Sequence, residues 1–394
     1  MTGLFETTAE TRELLAVVQE FCEKEVLPQV RAIEDGTAIY DTDLMRTAAE
    51  IGLQGLIVDE RGAIDPAGFA LAHESNEIVA SYSGSFALAL SIARLHAYML
   101  CKYANPQVRD RWLPGLLAGT GFGAFAISEP HAGTDVRAIT TVARRDGDHY
   151  VLDGEKAWIT QGPRARFAVV LAKLDHRGRD ADTAAFVVDL ATEGAEAGPP
   201  EPLIGFRGVP LGTLTFSGCR VPAEARMNVE GFSGMLEGVN LARLDCASYA
   251  LGFIRGALRE CTTYLGEREA FGGPLARNPL LQAQLGSMLA AYLSGRHLVH
   301  AALASFAAGG GGDNTLISAA KLATTEAAMT QSTVAVQLLG GAGVHADYLV
   351  QSYFRNSKII QIIDGTSQIH QLMLGRAASS LDWTAPVPAP LRTP

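Results

Sequence analysis

The sequence predicts a mainly α-helical protein with one β domain inserted in it, and three observations predict this. Residues 8 to 123 place apolar side chains at helical spacing; from about Phe122 the chain breaks into short runs rich in Val, Phe and Thr; and from about Met235 long helical patterns return. The expected division is an N-terminal helical domain (1–123), a middle antiparallel β domain (124–233), a C-terminal four-helix bundle (234–382) and a loose proline-rich tail (383–394).

Each element has its own signal. "TRELLAVVQEFCEKEVLPQV" puts Leu14, Leu15, Val18, Phe21, Cys22 and Val26 on one helix face, and "TDLMRTAAEIGLQGLIV" and "DRWLPGLLAGTG" continue the pattern with glycines near their ends. "FGAFAISE", "DHYVLDGEKAWIT", "RFAVVLAKL", "TAAFVVDL" and "GTLTFSGCRV" read as strands divided by Asp-Gly, Gly-Pro or Pro-Pro turns. Three long helices follow, with "GGGGD" at 309–313 as a flexible link between two of them.

Composition removes several function classes. Of 394 residues, 48% are hydrophobic and 19% charged, as in a compact domain protein. The net charge of -10 is spread over mixed stretches with no Lys/Arg block, so nucleic acid is not an expected partner. No run of about 18 apolar residues suggests a membrane span, and the first residues lack a basic-then-apolar export pattern. Five scattered cysteines without C-x-x-C spacing suit a reducing cytoplasm without disulfides. Only His297 and His300 could share a helix face, with no third ligand nearby, so no metal site is expected. Neither a phosphate loop, a G-x-G-x-x-G turn nor a G-x-S-x-G elbow is present.

Three stretches remain. In "FAISEPHAGTDV" (125–136) a strand runs into a turn of small polar residues and glycine, which suits either close approach of backbone N–H groups to a ligand or a plain polar turn. In "GEKAWIT" (154–160), Trp158 and Thr160 share one side of a strand, as a ring-binding pair or as ordinary core packing. In "QLLGGAGVHADYLVQSYFRNSKIIQIIDGTSQIH" (337–370), Asp364 interrupts apolar runs, either as a helix N-cap or as something more specialised.

Taken together and in this order, the stretches resemble the acyl-CoA dehydrogenase family, from about residue 8 to residue 380. "FAISEPHAGTDV" resembles that family's Thr-Glu-Pro-x-Ala-Gly-Ser-Asp signature, "GEKAWIT" its Gly-x-Lys-x-Trp-Ile-Thr, "EREAFGGPL" its Glu-Arg-x-x-Phe-Gly-x-Pro, and the stretch from Gln337 its Gln-x-x-Gly-Gly, Arg-Asp-Ala-Lys-Ile and Glu-Gly-Thr motifs. The resemblance implies a noncovalent FAD between the β domain and the second bundle. It implies that Phe125, Ile127, Ser128, Gly133 and Thr134 line the flavin, with Ser128 and Thr134 also near the pantetheine arm. Trp158 would pack on the isoalloxazine with Thr160 near N5, and Thr366 and Gln368 would lie near the diphosphate and adenosine. Arg268, Phe271, Gln337 and Gly341 match positions that hold the neighbouring subunit's FAD in a homotetramer built as a dimer of dimers.

The implied reaction is α,β-dehydrogenation of an acyl thioester, carried on coenzyme A or an acyl carrier protein. Asp364 would take the α-proton while the β-hydride passes to flavin N5, and electron-transfer flavoprotein or oxygen would reoxidise the flavin. An apolar surround, supplied by neighbouring isoleucines, would raise the carboxyl pKa toward working pH, and the backbone N–H groups at the base would help hold the thioester carbonyl. Arg243 matches the arginine that positions the base loop; Asn240 and Gly365 complete the expected substrate contacts.

The chain departs from the pattern in ways that keep other readings in play. Asp364 stands where the family has Glu, one methylene longer, which suits also a flavin-binding scaffold subunit without activity, a non-oxidative elimination, or a nitroalkane-type oxidation. The last pairs its Asp with an arginine seven residues on, where this chain has Gln371. Ala242 occupies the position from which some relatives supply the base. Asn356 and Pro279 replace a common Asp and Gln, and Arg94 reads as a solvated helix charge or as a partner for a substrate carboxylate.

Overall fold

A computed structural model describes residues 8–40, 42–175, 183–229 and 231–384; most of the expected tail, 385–394, lies outside them. The N-terminal helices are α1 (Ala9–Phe21), which continues through a π-helical turn at Cys22–Val26 into α2 (Leu27–Glu34), then α3 (Thr42–Glu50), α4 (Gly68–Ala80), α5 (Gly84–Tyr103) and α6 (Pro106–Leu117). Ser83 caps α5 by accepting from the Phe86 N–H at 3.2 Å. This helix has the length and apolarity of a membrane span, yet 83% of its most apolar window is buried inside the protein, as the central rod of the fold.

The middle region contains β1 (Gly123–Ala126), β2 (Val142–Asp146), β3 (His149–Thr160), β4 (Phe167–Leu174), β5 (Thr183–Asp189), β6 (Ala195–Ala197) and β7 (Leu211–Pro222). The sheet runs β1-β4-β2-β3-β7-β6, with β5 on the other side of β4. The sequence suggests antiparallel pairing throughout, but β1 and β2 both pair parallel with β4, because long connections rather than hairpins carry the chain to it.

The second helical region comprises α7 (Gly231–Glu267), a small hairpin of β8 (Glu269–Ala270) and β9 (Gly273–Pro274), then α8 (Pro279–Ala307), α9 (Asn314–Leu339), α10 (Val350–Ile360) and α11 (Ser367–Ser380). Pro279 stands at the first turn of α8, where its missing N–H costs nothing, beneath an Asn278 cap. The Gly309–Gly312 link is not loose. All four glycines take positive φ, and the Gly311 carbonyl accepts from Asn240 at 2.9 Å, so the run is a bonded turn that other residues would strain.

One apolar core spans both helical regions and the inner face of the sheet. A polar bolt joins bundle and β domain: Asn356 Oδ1 accepts from the Phe206 N–H at 2.7 Å. The Asn that replaces a common Asp thus keeps the oxygen that this contact uses.

Candidate active site

Asp364 sits in the turn between α10 and α11 with φ +54°, in the left-handed region that Asp tolerates better than most side chains, and Gly365 follows at φ +100°. It is not the cap of α11: Thr366 holds the N-cap position, and its side chain makes no capping bond. The turn is fastened from α7 and α9. Arg243 Nε donates to the Asp364 carbonyl oxygen at 3.0 Å, Lys321 Nζ donates to the Gly365 carbonyl at 2.7 Å, and Cys246 Sγ donates to Asp364 Oδ2 at 3.3 Å.

Asp364 as a residue is half-buried, and its carboxyl is closely surrounded by protein. Desolvation pushes its pKa above the ordinary Asp value, opposed by the Cys246 hydrogen bond and by the charges of Lys321 and Arg243. The isoleucines contribute less than the sequence suggests. Ile360 is buried, but Ile362 is 54% exposed, because the helix ends at Ile360 and the following turn rotates Ile362 outward. The fully buried Cys246 and Lys321 of α7 and α9 lie against the carboxyl instead, and both lower its pKa rather than raise it.

Asn240 and Arg243, expected to meet substrate, are buried and committed elsewhere. Asn240 is 2% exposed, donates to Gly311 and Asn314, and accepts from Arg243 Nη1 at 2.9 Å. Its amide is therefore spent on holding Arg243, one helical turn along α7. A Cβ at Gly365 would lie 3.1 Å from the His370 ring, so glycine also keeps this turn tight.

The two motif stretches of the β domain come together. The Ala157 N–H donates to the Ser128 carbonyl at 3.0 Å, and Lys156 Nζ donates both to the Ile127 carbonyl at 3.0 Å and to Glu129 at 2.9 Å. Glu129 also accepts from the backbone and hydroxyls of Thr140 and Thr141. With side chains 0% and 1% exposed, Lys156 and Glu129 form a buried ion pair that sets the strand-end turn against β3. Its hydrogen bonds hold the Glu129 carboxyl down at about 2 against the opposing effect of burial.

Around that pair, the half-buried Phe125 and Ile127 alternate with the fully buried Ala124 and Ala126, as strand geometry requires. Gly133 and Thr134 are exposed, with open space where a Gly133 Cβ would be. Trp158 and Thr160 both face outward with Ile159 buried between them, although the β3–β7 register shifts at this point and Trp158 takes φ +62°. An indole 63% exposed on a bulge is an unspent flat surface.

A third group lies where the last turns of α7 and α9 approach, marked by the Cys261 Sγ contact to the Ala335 carbonyl. Arg268, Gln337 and Gly341 are exposed here, and Phe271, at the tip of the β8–β9 hairpin, is fully exposed with φ +56°. Gln368 is exposed at the start of α11, with Thr366 half-buried before it. Among the described residues no hydrogen bond or ion pair links the Trp158 side chain to the Asp364 turn.

Sequence reading missed Lys156, Glu129, Cys246 and Lys321. A Lys within β3 and a Glu just beyond the end of β1 were the available signal for the ion pair; nothing local marks Cys246. It also misplaced Arg94, read chiefly as a solvated charge: Arg94 is 3% exposed, because α5 is enclosed on all sides.

Comparison with known proteins finds similarity over most of the chain. Sequence models described as Acyl-CoA dehydrogenase N-terminal, middle and C-terminal domains match residues 8–120, 124–219 and 229–379. The mitochondrial short-chain specific acyl-CoA dehydrogenase of Rattus norvegicus is 32% identical over 378 residues, covering 93% of this chain and 89% of that protein. Butyryl-CoA dehydrogenase from Megasphaera elsdenii superposes with a TM-score of 0.88 at 28% identity, covering 95% of this chain and 99% of the other. A glutaryl-CoA dehydrogenase from Mycobacterium smegmatis, in complex with FADH2, does so with a TM-score of 0.88 at 27% identity, covering 95% of each.

Proposed function

The chain belongs to the acyl-CoA dehydrogenase family, and from that premise we propose that it removes the α-proton of an acyl-CoA thioester with Asp364 as base. It is an FAD-dependent oxidoreductase acting on CH–CH groups. The residues fit the cofactor: an outward Trp158 offers a face to a planar ring, and Gly133 and Gly341 leave backbone accessible to an approaching phosphate or ring. Phe125, Ile127, Ser128, Gly133, Thr134, Trp158 and Thr160 would hold the ring end. Thr366 and Gln368 would hold the remainder, with Arg268, Phe271, Gln337 and Gly341 serving a neighbouring subunit in a homotetramer. Bound FAD supplies the acceptor for the β-hydride.

The observation that carries the proposal is the desolvated Asp364 carboxyl, raised in pKa and fastened through its backbone rather than through an ion pair. A carboxylate paired with Arg243 would be a weak base. Here Arg243 and Lys321 take the carbonyl oxygens of residues 364 and 365, which orients the turn and leaves Asp364 free to accept a proton. The backbone N–H groups of the turn are the candidates to hold the thioester carbonyl as charge develops on it. Asn240 keeps Arg243 in place, its amide bonded to Gly311, Asn314 and Arg243. Coenzyme A is the carrier favoured by the relatives' names, with an acyl carrier protein as the alternative and electron-transfer flavoprotein as acceptor.

Anaerobic mixing of the flavin-loaded protein with a panel of acyl-CoA and acyl-carrier-protein thioesters tests this. Loss of the flavin absorbance band with at least one thioester is expected; an unchanged band across chain lengths and both carriers would overturn the proposal.

A further inference from the structure

Asp364 is held at two points by one face of α7. Arg243 takes its backbone carbonyl at 3.0 Å, and Cys246, three residues further along the helix, donates from Sγ to Oδ2 at 3.3 Å. Among the described residues no other donor bonds either carboxylate oxygen, so Oδ1 keeps its lone pairs for a proton. Lys321 bonds the Gly365 carbonyl, and Arg243 bonds Asn240 besides the Asp364 carbonyl, so neither cation reaches the carboxylate with a hydrogen bond.

A thiol suits this place. Cys246 is 0% exposed, and burial raises its pKa well above the usual thiol value, so it stays a protonated donor and is no rival to Asp364 as base. An S–H group is a weak donor, and a hydrogen bond to the ionised form lowers a carboxyl pKa in proportion to its strength. A hydroxyl here would depress Asp364 further and weaken it as a base. An alkyl group would leave the carboxyl free to change rotamer, and a displacement of roughly 1 Å is enough to spoil the approach to a reacting carbon.

We propose that Cys246 is a positioning residue for proton abstraction: its thiol pins Oδ2 of Asp364, presents Oδ1 to the α-carbon, and leaves the carboxylate more basic than a hydroxyl at the same position would. This rests on the reading of Asp364 as the base. The other titratable groups facing the carboxylate are Arg243, Asp245 and Tyr249 of α7, Lys321 of α9 and His370 of α11. Asp245, lifted by burial to about 7, titrates in a neighbouring range. All five are common to every variant at position 246, so the displacement between variants isolates the thiol.

The test compares flavin-loaded wild type, Cys246→Ala and Cys246→Ser, with Asp364→Asn as control. Anaerobic single-turnover flavin reduction by a thioester that bleaches the wild type is followed across pH. In parallel, infrared difference spectroscopy follows the protonated carboxyl of Asp364, assigned by its absence in Asp364→Asn. Cys246→Ala should move the acid limb and the infrared titration to higher pH, since the bond that favours the carboxylate is gone, and should lower the plateau rate by about tenfold or more. Cys246→Ser should move both to lower pH and keep the plateau within severalfold of wild type. A cysteine that only fills space would leave both titrations in place or shift the two variants in the same direction, and either result would overturn the proposal. If Cys246→Ala does not retain flavin, Cys246→Val, which fills the site without a donor, takes its place. Reduction by Asp364→Asn near the wild-type rate, or no reduction of wild type by any thioester, would overturn the reading of Asp364 as base and this proposal with it. Unshifted limbs in the Cys246 variants beside an inactive Asp364→Asn would overturn this proposal alone.

Discussion

Arg243 Nε donates to the backbone carbonyl of Asp364 at 3.0 Å, so the guanidinium grips the peptide of the proposed base and not its carboxylate. Arg243→Ala should therefore preserve the carboxyl but loosen its placement. Flavin reduction by a good thioester should slow by about ten- to a hundredfold. Unfolding in urea should show a loss of about 1–3 kcal/mol from the carbonyl left unpaired. An unchanged rate would mean that the arginine does not position the turn.

The Lys156–Glu129 pair is almost fully buried and bonded to both motif stretches. Lys156→Met should destabilise the protein by about 3–5 kcal/mol, since it strands a buried carboxylate. It should also lower flavin retention on gel filtration, because the strand-end turn loses its tie to β3. Flavin content equal to wild type at matched stability would separate this ion pair from the cofactor site.

Trp158 is 63% exposed on a bulge, so its side chain contributes little to the fold itself. Trp158→Ala should change apoprotein stability by no more than about 0.5 kcal/mol. The bound flavin fraction should fall, as followed by the ratio of flavin to protein absorbance. Full occupancy in the variant would show that the indole does not face the ring.

Asp245 gives a pH signature. Its carboxyl, lifted by burial from 3.8 to about 7, keeps a proton in the folded state over a range where the unfolded chain has lost it. Its contribution to stability is thus fully present below about 4 and is lost as pH rises to about 7, after which it stays constant. The melting temperature of Asp245→Asn should gain on wild type across that window and run parallel above it. A constant difference from pH 4 to 8 would contradict the shift.

Order and periodicity made the helical, sheet and helical succession legible, and the motifs singled out Trp158, Asp364 and Arg243. What escaped was decided by tertiary packing. The capping reading of Asp364 was locally sound, but the turn closes through Thr366, and Arg243 and Lys321 reach it from helices far away in sequence. The isoleucines around Asp364 suggested a dry wall, which the end of α10 partly turns outward. Arg94 was misplaced because a lone charge on a helix ordinarily reaches water. The apolar character of α5 on every side was the signal that this helix runs through the core, and that its arginine has no route out.

The most direct measurement compares single-turnover flavin reduction in wild type and Asp364→Asn under anaerobic conditions across pH. Asn keeps the left-handed φ of +54° that residue 364 adopts and removes only the charge. The wild-type rate should fall as pH drops through a pKa above the ordinary Asp value, while Asp364→Asn should bind the thioester and leave the flavin oxidised at every pH. Reduction by the Asn variant at a rate near that of wild type would mean that another group takes the α-proton.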